Sequence, residues 1–80
     1  MPAARSTRDK FIPVESEMIV FVRYDEKARH LDIIYRTGDK YRYFGVPPLE
    51  YQGLMSAKSK GQYMHKRILR GKRYDYERLE

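Results

Sequence analysis

The chain has eighty residues and no cysteine, with 17 lysines and arginines against 11 acidic residues and a net charge of +6. That length suits one domain with a marginal core, and the missing thiols exclude disulfides, a cysteine nucleophile and zinc–thiolate sites and fit a reducing cytosol. The longest apolar run, Met18-Ile19-Val20-Phe21-Val22, is far short of the roughly 20 residues a membrane span needs, and the first ten residues hold no apolar signal core, so a cytoplasmic chain with no membrane partner is expected.

Residues 1–12 are polar and without period, which predicts a flexible N-terminal tail ahead of a single domain over residues 13–80. Residues 18–24 are rich in β-branched and aromatic side chains and read as a strand. The polar Asp25-Glu26-Lys27-Ala28 makes a turn, and residues 30–36 alternate as a second strand. Thr37-Gly38-Asp39 is a tight turn in which Gly38 can take a positive φ. Residues 40–46 form a third strand, stopped by Pro47-Pro48. Short connections between these segments predict an antiparallel three-stranded meander. Residues 49–57 read as a short helix with Tyr51, Leu54 and Met55 inward. Ser59-Lys60-Gly61-Gln62 fits a capping box that opens a second helix over about residues 60–69. In that helix Met64 and Ile68 face the core and Lys66 and Arg70 face roughly away from it. Gly71 stops the helix. Residues 73–79 alternate Tyr74 and Tyr76 with charged residues and are expected to add a C-terminal strand to the meander. The fold class is α+β, with two short helices packed on one face.

Side-chain alternation assigns the two faces of the sheet. Val20, Val22, Tyr24, Leu31, Ile33, Tyr35, Tyr41 and Tyr43 are expected beneath the helices. Ile19, Phe21, Arg23, Asp32, Ile34, Arg36, Arg42 and Phe44 are expected on the opposite face, with Asp32 paired across strands to Arg23 and Arg36. That mixed face could stack unpaired bases, form a dimer interface or be shielded by the tail.

The charge is local. Lys58, Lys60, Lys66, Arg67, Arg70, Lys72 and Arg73 fall in a stretch with no Asp or Glu, whereas elsewhere ten basic residues face eleven acidic ones. Such a cluster attracts polyphosphates in a salt-dependent way, or serves as a solvated helix face that aids solubility. Signs of catalysis are missing. No serine lies in a nucleophile motif, Ser59 is explained as a helix cap, His30 and His65 are isolated, and there is no glycine-rich phosphate loop. No enzyme activity, metal or small-molecule cofactor is expected.

The run Tyr41-Arg42-Tyr43-Phe44-Gly45-Val46-Pro47 resembles the central Y-x-Y motif of the KTSC domain family. Tyr24-Asp25, Ser59-Lys60-Gly61-Gln62-Tyr63, Ile68 and the Tyr74/Tyr76 ending extend the resemblance over about residues 14–79. The family is named for a module at the C-terminus of some lysyl-tRNA synthetases and also comprises small free-standing bacterial proteins. The resemblance implies the α+β fold, no catalytic residue and a modest lean toward RNA. The leading expectation is a nucleic-acid-binding accessory module, for RNA before DNA. Lys66, Arg67, Arg70, Lys72 and Arg73 would contact phosphates, and Arg42, Phe44 or Tyr74 would contact bases. The alternative is a protein-interaction module, either a homodimer through Phe21, Ile34 and Phe44 or an adaptor for an acidic protein.

Overall fold

A computed structural model describes residues 10–79. Its sheet has five antiparallel strands in the order β1-β2-β3-β4-β5. These are β1 (Ile12–Pro13), β2 (Ile19–Asp25), β3 (His30–Tyr35), β4 (Lys40–Phe44) and β5 (Tyr76–Leu79). Between β4 and β5 run helix α1 (Pro48–Ser56) and helix α2 (Lys60–Tyr63), the latter continuing as a π-helical turn (Met64–Leu69). The three-stranded meander and the added C-terminal strand are present as expected. The fifth strand, β1, is an addition: Ile12, assigned to the tail, pairs with Val22, and Pro13 pairs with Phe21. Two residues of strand are too few to show any alternation. The rest of the expected tail, residues 1–9, lies outside the described residues.

Local chemistry shapes the turns. Asp25 Oδ1 accepts from the amides of Lys27 and Ala28, which closes the β2–β3 connection. Gly38, at φ 99°, supplies the left-handed residue of the β3–β4 turn. Ser59 caps α2 by accepting from the Gln62 amide at 3.3 Å, as the capping pattern predicts. The Arg70 amide donates back to the His65 carbonyl, an i→i+5 bond that widens the last turn. Gly71 (φ 79°) and Lys72 (φ 51°) then turn the chain toward β5.

Both helices cover one face of the sheet. Leu54 from α1 and Met64 and Ile68 from the α2 extension are fully buried against Val22, Leu31, Ile33 and Val46. Each such side chain contributes about 1.5–3 kcal/mol by leaving water. Tyr24 stacks on Tyr51 with ring centroids 4.5 Å apart and donates its hydroxyl to the Val46 carbonyl at 2.6 Å. Tyr43 is buried, and its hydroxyl shares a 2.7 Å hydrogen bond with Tyr35. The Y-x-Y tyrosines are therefore packing residues, as the face assignment anticipates.

Two of those assignments need correction. The β2–β3 register shifts between Ile19 and Phe21, so Ile19 pairs with Tyr35 while Phe21 pairs with Ile34. The extra residue, Val20, forms a β-bulge. A one-residue slip exchanges faces: Ile19, expected on the opposite face, is fully buried, and Val20 is only half-buried. Asp32, in turn, pairs with Arg23 and Arg42 and not with Arg36. Arg36 lies beyond the end of β3 and donates instead to the carbonyls of Ser16 and Glu17.

Candidate nucleic-acid interface

The expected site residues divide into two sets with different fates. On the open face of the sheet, register places Arg23, Asp32, Arg42 and Glu77 in one row across four strands. Arg23 donates to Asp32 Oδ2 through Nε at 3.0 Å and Nη2 at 2.8 Å. Arg42 donates Nε to Oδ1 at 2.8 Å and Nη2 to Oδ2 at 3.0 Å. Burial alone would raise the Asp32 pKa, but the hydrogen bonds from Arg42 and Arg23 outweigh it and hold the carboxyl below its ordinary range. The same bond to Asp32 raises the Arg42 pKa. Arg42, expected near bases, is therefore engaged inside the protein. Phe44 packs edge-on against His30 with centroids 5.0 Å apart. Phe11 closes over this face, with the Arg23 guanidinium 4.2 Å from its ring centroid and Phe21 edge-on at 6.5 Å.

The helical segment is arranged differently. Lys66, Arg67, Arg70, Lys72 and Arg73 are all exposed. Among the described residues, only Arg67 of these five has a carboxylate partner, Glu50 at 3.8 Å. Lys66 and Arg67 line a shallow groove of about 360 Å³ together with Lys58, Ser59, Gln62 and Tyr63. The Arg67 guanidinium lies 5.7 Å from the Tyr63 ring centroid. The charge of Arg73, like that of Arg67, favours ionisation of the Tyr63 hydroxyl. Arg70 and Lys72 stand on the turn that leads out of the helix. A larger cleft of about 610 Å³ sets Glu15 and Glu17 beside Lys58 and Lys60; its mixed charge suits a polyanion less well.

Glu50 anchors this corner, and sequence reasoning missed it. Although buried, it accepts from the Tyr63 hydroxyl at 2.7 Å and the Tyr74 hydroxyl at 2.8 Å. Desolvation first, then the bond to Glu50, pushes the Tyr74 pKa up to about 12, and the same causes raise that of Tyr63. Tyr74, expected near bases, therefore turns its hydroxyl inward. Gly53 gives Tyr63 its space, because a Cβ there would meet the Tyr63 hydroxyl and lie 2.8 Å from its Cζ. No local signal marks Glu50, whose partners lie 13 and 24 residues away.

The comparisons agree with this architecture. The family described as KTSC domain matches residues 15–74. A crystal structure of a KTSC domain protein from Yersinia pestis superposes with a TM-score of 0.81 and 34% identity, covering 89% of this chain and 97% of that one. A lysine–tRNA ligase from Nostoc punctiforme is 37% identical over 65 residues, and one from Trichormus variabilis is 38% identical over 65. In both, the match takes in 81% of this chain but only 11% of the ligase, so the chain spans about a ninth of those relatives. An uncharacterised protein from Stutzerimonas stutzeri is 28% identical over 71 residues, covering 89% of this chain and 99% of that one.

Proposed function

The chain belongs to the KTSC domain family, and from that premise we propose that it is a small, non-catalytic nucleic-acid-binding module, with RNA as its ligand. The observation that carries this reading is that Lys66, Arg70, Lys72 and Arg73, close together in the chain, are all exposed and have no carboxylate partner among the described residues. Of these, Lys66 lines the groove beside Tyr63 together with Lys58 and Arg67. Cations that neutralise phosphates release the counterions condensed on the nucleic acid, so affinity arises from phosphate contacts and falls with salt. The ligase relatives lend this reading support, because a lysine–tRNA ligase acts on tRNA. The reading includes the cytoplasm as the place of action, in keeping with a chain that has no cysteine.

The test is retention of RNA by purified protein across a salt series. The wild type should bind with a steep salt slope, and the combined Lys66→Glu, Arg70→Glu, Lys72→Glu variant should lose retention while melting normally. Equal retention by that variant at moderate salt would remove the basic corner from consideration. The competing reading places self-association or an acidic partner on Phe21, Ile34 and Phe44. Phe11 already packs on Phe21, which takes apolar area from that face. A salt-insensitive dimer with Phe44 buried would install that reading instead.

A further inference from the structure

Phosphate contacts alone do not distinguish a single strand from a duplex, so the form of RNA that this corner would take must be read from another group. Tyr76 is that group. It is 60% exposed and is the only tyrosine or phenylalanine exposed among the described residues. It pairs with Tyr43 across the β4–β5 ladder, so it lies on the face of the sheet that carries the helices. Its ring is held from beneath by two others: Tyr41 edge-on with centroids 5.9 Å apart, and Tyr43 tilted at 5.9 Å. Among the described residues its hydroxyl has no hydrogen-bond partner, unlike those of Tyr24, Tyr35, Tyr43, Tyr63 and Tyr74.

Cations flank the ring along the chain. Arg73 precedes it by three residues, a reach of at most about 11 Å. Arg78 follows by two, on the same face of the strand, and is fixed by a 2.7 Å bond to Asp39 Oδ1. We infer that Tyr76 is a stacking platform for an unpaired base, and that the module therefore selects single-stranded RNA over duplex. The ring is already held in place by Tyr41 and Tyr43, so stacking orders one side chain fewer. An aromatic π-face accepts any base, and it is useful only where bases are unstacked. This inference rests on the nucleic-acid reading above and sharpens it. It also moves the base contact from Tyr74, which is turned inward, to its neighbour two residues on.

A fluorescence-anisotropy titration with a labelled ten-nucleotide oligouridine and a matched RNA duplex tests it. The wild type should prefer the oligouridine. Tyr76→Ala should weaken that binding by about five- to a hundredfold with the salt slope unchanged, because no phosphate contact is lost. Tyr76→Leu, which keeps apolar packing on Tyr41, should behave like Tyr76→Ala, and Tyr76→Phe should behave like the wild type. Wild-type affinity in both Tyr76→Ala and Tyr76→Leu, or equal affinity of the wild type for strand and duplex, overturns the stacking role and leaves the basic corner standing. Failure of the wild type to bind either RNA removes both readings together.

Discussion

Among the described residues two carboxylates are buried, and they are satisfied in opposite ways. Asp32, in the middle of the sheet, takes four hydrogen bonds from two arginines. Glu50, at the corner of the helices, takes two from tyrosine hydroxyls and keeps Arg67 only at 3.8 Å. Arginine forks match a carboxylate in charge and in shape, so Arg23 and Arg42 have little left to offer a ligand. Tyrosine hydroxyls satisfy a carboxylate without using up a cation. The second arrangement fixes a corner of the fold and leaves the surrounding positive charge outward. Composition counts these arginines alike, and only the partner they meet separates a structural cation from an available one.

The sharpest way to break this comparison is at Asp32. Asp32→Ala strands two partly buried guanidiniums and should cost about 3 kcal/mol in urea unfolding, near the low end for a broken buried pair because both arginines keep some solvent. The pH dependence has a definite sign. Because the folded Asp32 pKa lies below its unfolded value of about 3.9, its contribution is complete above that value and is lost as pH falls through the folded pKa. Unfolding curves of the wild type should therefore lose this contribution below about pH 4, and those of Asp32→Asn should not.

At the other carboxylate the effect should be smaller. Tyr74→Phe removes one hydrogen bond to a buried anion and should cost about 2 kcal/mol by thermal melting, with RNA retention unchanged. A loss of binding equal to that at Lys72 would return Tyr74 to the interface. Smaller still is Lys72→Gly. Lys72 holds a left-handed backbone that disfavours any residue with a Cβ, so glycine should raise stability by about 0.5–1 kcal/mol after its own entropy cost, while weakening RNA binding at low salt. The least stability effect belongs to the Lys66, Arg70, Lys72 triple reversal, within about 0.5 kcal/mol of wild type, even though its effect on RNA retention is the largest of the set.

Much of this is legible in the chain itself, and where legibility fails the reasons are physical. Alternation and β-branched and aromatic side chains reveal β2, β3 and β4, whose apolar residues beneath the helices recur at every second position, and Ser59 and Gly71 mark the ends of the second helix by their own backbone chemistry. Alternation cannot foresee the bulge at Val20, because residues 18–22 of the chain are all apolar and no polar position shows which of them the partner strand leaves unpaired. The cation cluster is visible in sequence because its members are neighbours. The Glu50 corner is not, since Tyr63 and Tyr74 reach it from other elements. For the same reason, alternation through Tyr74 and Tyr76 announces a strand but does not say which ring faces water. Tyr74 precedes β5 and faces the corner, whereas Tyr76 lies within β5, at the edge of the sheet.

The two ends of the sheet also bear on how this molecule behaves at high concentration. An unpaired strand edge invites another copy to extend the ladder. At β1, Pro13 has no amide hydrogen to offer. At β5, antiparallel pairing of two copies centred on either middle residue sets Glu77 against Glu77 or Arg78 against Arg78, and like charges directly opposite repel. Among the described residues, Pro13 at one rim and these like-charge registers at the other thus work against ladder growth, a hazard for a protein with so much β-structure and so small a core.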